Sequence, residues 1–334
     1  MILVTGGTGL VGAHLLLKLA AEGQRVRALY RNANNINKTR NLFLHFSKTD
    51  AFDAIEWLQA DITDVPSLED AFAGVDYVYH CAAHISFDPA EEDKLRKINI
   101  EGTANMVNCA LAFDVKKFCH VSSVAALGDP REGEPITEDT EWNPEISHHD
   151  YALSKHGAEM EVWRAWQEGL NVVIVNPALI FGYGFWEQGS GQIFTSVKKG
   201  MYFYSKGTCG IVAVDDVVNV MVQLMMSNIS GERFALIAEN ITYENLFNTL
   251  ADGLHKKRPA FLATPLMTSI AWRIDWLLSK LKIKKRSFTK AMAQSSHKTE
   301  SFDSSKVYTM LGYKFTDMHA YLKQLAVEFT SFRE

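Results

Sequence analysis

An apolar run at residues 2–4 leads directly into Thr5-Gly6-Gly7-Thr8-Gly9-Leu10-Val11-Gly12, and helical periodicity starts at Leu10. No other feature of the 334 residues constrains the fold as much as this order of strand, glycine turn and helix. Gly6 permits the tight turn, Gly9 lets backbone approach a pyrophosphate, and Gly12 allows the helix to pack close to the strand. Free N–H groups at the helix start, with the positive end of its dipole, would face the phosphates. Glycine spacing alone is a weak signal. The order in which strand, cradle and helix occur makes a dinucleotide site the reading.

The rest of the first half keeps the same rhythm. Short β-rich runs at 2–4, 25–30, 55–60, 77–82, 118–122 and 172–176 alternate with helical patterns at 10–21, 67–72, 91–113 and 151–167. Repeated β-then-α units argue for parallel strands joined by right-handed crossovers. The strands are nearly continuous apolar runs, as expected when both sheet faces are covered. The fold class is therefore α/β, a doubly wound parallel Rossmann sheet with a smaller, mainly helical C-terminal substrate lobe. Residues 1–178 are expected to form the dinucleotide-binding domain, with a strand–helix segment returning at 211–238. The substrate lobe would take 179–210 and 239–334. Residues 181–210 are rich in glycine and aromatics and read as loops over a pocket, with Phe185 and Trp186 touching substrate.

Hydrophobic residues at 47% and charged ones at 22% suit an ordinary soluble protein. A net charge of -5 lacks the basic footprint of a nucleic-acid binder, which leaves a small molecule as the partner. Cys81, Cys109, Cys119 and Cys209 show no C-x-x-C spacing and read as reduced thiols. The first core strand starts at once, so a signal peptide is not expected and the location is cytoplasmic. Arg273, Asp275, Lys280 and Lys282 interrupt the apolar stretch at 261–283, against a transmembrane segment. That stretch reads as an amphipathic helix packed on the substrate lobe or a partner subunit, with a membrane-interface helix as the alternative.

Tyr151-Ala152-Leu153-Ser154-Lys155 places a phenol and an ammonium four residues apart, on one helix face. An unperturbed tyrosine titrates near pH 10, and an opposite charge nearby lowers such a value by about 1–3 units. Lys155 would thus activate Tyr151 and also hold the nicotinamide ribose. Ser122-Ser123 ends the fifth strand, and only one of the two can face the pocket, because adjacent strand residues point oppositely. Tyr202-Phe203-Tyr204-Ser205-Lys206 repeats the Tyr/Lys spacing without a helical pattern, so it reads as an aromatic pocket wall. In His148-His149-Asp150, neighbouring histidines chelate one ion poorly, and no cysteine or carboxylate cluster accompanies them. A solvated loop and no metal site is the expectation. After the second strand the chain has Tyr30-Arg31, then Lys38 and Arg40, where an NAD enzyme would have a carboxylate. Arginine can fork onto a 2′-phosphate, so NADP(H) is favoured over NAD(H).

The T-G-x-x-G-x-x-G form, with Tyr151-x-x-x-Lys155 and Ser123 upstream, resembles the extended short-chain dehydrogenase/reductases of the NAD-dependent epimerase/dehydratase superfamily. The resemblance is densest over residues 1–220. It includes Ala60-Asp61-Ile62, His80-Cys81-Ala82-Ala83, Asn99-Ile100-Glu101-Gly102-Thr103, Asn176-Pro177 and Val214-Asp215-Asp216-Val217. It implies that Asp61 and Ile62 flank the adenine, that Ala82 and Ala83 line the path to the nicotinamide ribose, and that Asn176 and Pro177 lie at the cofactor. Thr5, Gly6, Thr8, Gly9, Leu10, Val11 and Gly12 would form the cradle. The family pattern ending at Gly128 makes Ser123 the catalytic serine, and Asn99 matches an asparagine that organises the site. His84 would line the substrate pocket. Arg31 and Lys38 match basic positions of the dihydroflavonol-reductase-like branch, whose members use NADP(H). The resemblance also implies a homodimer built on the helices around 91–113 and 151–168. The activity implied is reduction of a ketone or aldehyde, or oxidation of a secondary alcohol, on a small and partly apolar substrate. The alternatives are a nucleotide-sugar epimerase or dehydratase, and a non-catalytic NADP sensor, a class that usually lacks Tyr-x-x-x-Lys.

Overall fold

The computed structural model describes residues 1–284 and 286–333. Its first strand, β1 (Ile2–Thr5), buries every side chain. Ile2 and Val4 enter one core cluster, while Leu3 enters another on the opposite face. The period of two therefore feeds two cores. The same holds for β2 (Val26–Tyr30), where Val26 and Ala28 join the first cluster and Leu29 the second. With β3 (Glu56–Gln59), β4 (Tyr77–His80), β5 (Lys117–Val121), β6 (Val172–Pro177) and β10 (Glu232–Leu236) they form a seven-stranded sheet in the order β3-β2-β1-β4-β5-β6-β10. All its pairings are parallel. Strand order reverses between β1 and β4, which opens a crevice at the carboxyl ends, where ligands of such sheets bind.

Helices cover both faces. On one side lie α1 (Leu10–Ala21), α2 (Ile36–His45), α3 (Thr49–Asp53) and, much later in the chain, α9 (Val214–Met226). Its apolar positions Val214, Val217, Val218, Met221, Leu224 and Met225 bring α9 back onto this face. The other side carries α4 (Val65–Phe72), α6 (Gly102–Ala112) and α7 (Asp150–Gln167). The helix expected over 91–113 is not uniform. It opens with α5 (Glu92–Leu95), widens into a π-helical turn at Arg96–Glu101, and only then becomes α6. Such turns arise where one residue too many must be fitted, which apolar spacing does not report.

Residues 181–210 correct the expectation of open loops. β7 (Leu179–Phe181), α8 (Gly191–Lys198) and β8 (Phe203–Tyr204) occupy much of this stretch. Phe185 and Trp186 are buried in a third core cluster, and the Trp186 ring lies 5.2 Å from Phe194 and 5.1 Å from Phe329. Burying large aromatic surface in the helical lobe outweighs exposing it at a pocket rim. Neither is a pocket contact. In the Tyr202–Lys206 segment, Tyr202 and Phe203 are exposed, and Phe203 and Tyr204 form β8. β9 (Thr208–Ala213) pairs with β7 and with β11 (Glu239–Thr242), while β12 (Phe261–Leu262) pairs with β8. The C-terminal part is helical: α10 (Tyr243–Gly253), α11 (Pro265–Lys280), α12 (Lys290–Ser295), α13 (Ser305–Leu311) and α14 (Met318–Arg333). No helix among the described residues is long and apolar enough to cross a membrane.

Candidate active site

The turn after β1 works by steric exclusion. Gly6 has φ +69°, and a Cβ there would stand 2.7 Å from the Ala82 nitrogen; one on Gly12 would stand 2.3 Å from the Gly6 carbonyl oxygen. The two absences let β1, β4 and the start of α1 converge. Gly9 is the N-cap of α1 and has no side chain to satisfy the N–H groups of the first turn, which are left for a ligand. A Cβ on Gly9 would meet only the Gly6 oxygen, at 3.4 Å. Beside this turn is a cleft of about 260 Å³ whose walls include Gly6, Thr8, Gly9, Arg31, Lys38, Ile62, Ala82 and Ala83. A glycine cradle, open helix N–H groups and two cations fit a dinucleotide phosphate. Tyr30, Asn35, Ile98 and Gln188 also line the cleft. α2, absent from the sequence reading, explains two of these features. It carries Lys38 to the cleft, and its Thr39 hydroxyl donates to the Gly7 carbonyl at 2.8 Å. Arg40 instead lies over the Phe52 ring, at 4.9 Å.

The second part of the site forms where β5 ends and α7 begins. His149 caps α7, its Nδ1 accepting from the Ala152 N–H at 3.0 Å, and Tyr151 follows in the first turn. This cap explains the His148-His149 pair; His148 stacks on Trp142 at 3.8 Å. Ser123 stands beside Tyr151 and favours its ionised form, but burial dominates and pushes the phenol above its usual value. The expectation that Lys155 lowers it is not met. Lys155 is itself buried, donates from Nζ to the Val121 carbonyl at 2.8 Å, and is pushed down to about 8 by desolvation, against the pull of Glu159. Ser122 turns the other way, towards buried Glu159. Phe87, which nothing in the sequence marked, brings its ring 5.6 Å from Tyr151 and 5.4 Å from His149.

A parallel sheet with reversed order, a glycine cradle at its switch point and a Ser/Tyr/Lys set beside it narrow the family greatly. Residues 2–236 match the NAD dependent epimerase/dehydratase family. The chain belongs to this family. Among its curated relatives is sterol demethylase protein B of Methylococcus capsulatus, 31% identical over 274 residues, which span 80% of this chain and 79% of the relative. A putative dihydroflavonol 4-reductase of Synechocystis is 30% identical over 254 residues, 74% of this chain and 71% of the relative. Among solved structures, gox2253 superposes with a TM-score of 0.81 at 29% identity, covering 99% of this chain and 98% of its own. This epimerase/dehydratase family member is thus an NAD(P)-dependent enzyme, an oxidoreductase or an epimerase.

Several family positions brace the site, and one of them, Thr5, also lines the cleft. The buried Thr5 hydroxyl accepts from the Ala82 N–H at 3.0 Å and pairs with His80 Nδ1 at 2.8 Å, so it joins β1 to the end of β4. Leu10 and Val11, in the first turn of α1, pack partly buried side chains against the core. Asp61 accepts from the Thr63 N–H and hydroxyl, both at 2.9 Å, with its other oxygen 3.9 Å from Arg31. Asn99 does not reach Tyr151. It accepts from the His84 N–H at 2.7 Å and donates to the His84 carbonyl and Ser154 hydroxyl, both at 2.9 Å, which makes it a positioning residue. His84 turns its ring to Glu91, with Nε2 3.1 Å from the carboxylate. Asn176 is fully buried and donates to the Ser123 carbonyl at 3.0 Å and to Glu159. With Pro177, which pairs with Leu236 in the sheet, it lies in the strand layer and outside the cleft walls. Glu159 in turn pairs with Arg233 at 3.2 Å, a link that no local pattern reveals.

Proposed function

We propose that this family member is an NADP(H)-dependent oxidoreductase that reduces a ketone or aldehyde, or oxidises the matching secondary alcohol, on a small and partly apolar substrate. The observation that carries the reading is Ser123 beside Tyr151, with Lys155 buried one turn along the same helix and close to Cys81 of a cleft whose walls also present Arg31 and Lys38. The cofactor supplies a hydride to, or takes one from, the reacting carbon when bound. Ser123 and Tyr151 would hold the substrate oxygen, and Tyr151 would give it a proton. A phenol kept neutral by burial is the form that reduction requires. Lys155, charged below about pH 8 and close to Cys81 in the cleft wall, would hold the nicotinamide ribose. Phe87 offers an apolar wall next to Tyr151.

Arg31, just after β2, and Lys38, on α2, support NADP(H), since a 2′-phosphate needs charge-assisted donors and a carboxylate in their place would repel it. The names of the two relatives, one speaking of a sterol and one of a dihydroflavonol, point away from nucleotide sugars. The test is the absorbance of NADPH, its loss with ketones and aldehydes and its formation from NADP+ with secondary alcohols, across a panel that includes polycyclic compounds. Turnover of any, abolished in Tyr151→Phe, supports the reading. Failure of the whole panel, together with turnover of a nucleotide sugar, would replace it.

A further inference from the structure

Leu266, Ile270, Ile274, Leu277 and Leu281 recur at spacings of four, four, three and four, a single stripe along α11 and its C-cap. Such a stripe ordinarily meets the core. Here the five side chains are 50–71% exposed, and the helix buries Thr268 and Asp275 on its opposite side. Thr268 Oγ1 pairs with His297 Nε2 at 2.8 Å. Asp275 accepts from the Ser287 N–H at 3.0 Å, the Phe288 N–H at 3.2 Å and the Ser287 hydroxyl at 2.9 Å, and it pairs with Lys284. Polar anchors hold the helix down and its apolar side faces out. The adjoining strands add exposed Phe203 and Phe261, with ring centroids 5.8 Å apart. A folded monomer rarely leaves an apolar surface of this extent uncovered.

Charge indicates what covers it. Residues 254–299 hold eleven Lys and Arg and a single carboxylate, the buried Asp275, in a chain whose net charge is -5. Arg273 lies over Trp272 at 4.5 Å and Lys280 over Trp276 at 5.0 Å, so cations and indoles sit together along the helix. A second copy meeting this face by two-fold symmetry would oppose one basic rim with another. An anionic lipid surface satisfies both features, with acyl chains for the stripe and headgroups for the cations. We propose that α11 docks the protein on an anionic bilayer, the Leu266–Leu281 stripe entering the acyl boundary and Arg273, Lys280 and Lys282 meeting headgroup phosphates. Arg286 donates to Asp88 at 2.7 Å and ties the end of this segment to the loop that carries Phe87, beside Tyr151. Docking would therefore hold the mouth of the site near the lipid. The proposal does not depend on the reaction class argued above.

The test is co-sedimentation of the whole protein with vesicles of phosphatidylcholine alone, and of phosphatidylcholine mixed equally with phosphatidylglycerol, at low salt. The expected result is binding at least about tenfold stronger to the anionic vesicles, falling as salt rises. Lys280→Gln/Lys282→Gln should lose most of that preference. Ile270→Glu/Ile274→Glu/Leu277→Glu should lose binding altogether, with NADPH titration and thermal melting as the check on folding. Single Ile270→Glu should show a smaller loss in the same direction and serves if the triple variant misfolds. No binding by the wild type to anionic vesicles overturns the proposal. So does a wild-type dimer that Ile270→Glu converts to monomer, since a second copy would then cover the stripe.

Discussion

Individual side chains near β5 and α7 differ sharply in what burial does to them. Tyr151→Phe removes one hydroxyl and keeps the ring beside Phe87. Its kcat should fall by about 10²–10⁴-fold while NADPH affinity, read by fluorescence titration, stays nearly unchanged. A variant with near-normal kcat would take Tyr151 out of the mechanism. Lys155 predicts a pH dependence. Desolvation lowers its value to about 8, so the ammonium is present below that pH and is lost above it. Tyr151 is shifted upward and stays protonated across the same range. For carbonyl reduction, kcat/KM should be flat below about pH 8 and decline above it, and Lys155→Arg should move the decline upward. An unmoved alkaline limb would assign it to another group. Arg31 should set cofactor choice. Hydrogen bonds to a charged group contribute roughly 1.5–3 kcal/mol, so NADPH should bind about ten- to a hundredfold more tightly than NADH. Arg31→Asp should erase that preference, and equal affinities in the wild type would refute it.

At the scale of elements, junctions matter more than the elements themselves. The contact of α1 with the turn after β1 is backbone against backbone, so no flexible side chain could yield to an added methyl group. Gly12→Ala would place its Cβ 2.3 Å from the Gly6 carbonyl oxygen. It should cost about 1–3 kcal/mol and weaken nucleotide binding. Calorimetric melting and NADPH titration together check this, and an unchanged pair of values would mean that the cradle does not close as described. The π-helical turn at Arg96–Glu101 is a second junction, which turns Asn99 onto the His84 backbone and fixes the strand-end loop leading to Phe87. The third is the cap of α7 by His149, which sets where Tyr151 begins its helix.

At the scale of the whole molecule, the distribution of cations favours the proposed reductase chemistry over that of an epimerase. A nucleotide sugar brings a diphosphate that arginine forks, lysines or a helix N-terminus must hold. Between Pro177 and Gly231 the chain has no arginine. Arg233 is engaged by Glu159 and the Glu138 carbonyl, Arg258 by Asp252, and Lys198 lies over Phe329. Calorimetric titration of the NADP-loaded protein with UDP-, GDP- and dTDP-sugars should therefore give no micromolar binding; heat from any one of them at that affinity would favour the epimerase. The sequence alone determined the parts governed by neighbours a few residues apart. These are the glycine cradle, the four-residue step from Tyr151 to Lys155, the alternation of apolar strands with helices, and so the doubly wound sheet. Only the tertiary structure decided what depends on distant partners: that Trp186 packs inside against Phe329, that Arg233 pairs with Glu159 from 74 residues away, that Asn176 supports Ser123, and that α11 faces its apolar stripe outward. Local sterics are written in spacing, whereas the burial of a side chain is settled by every surface competing to cover it.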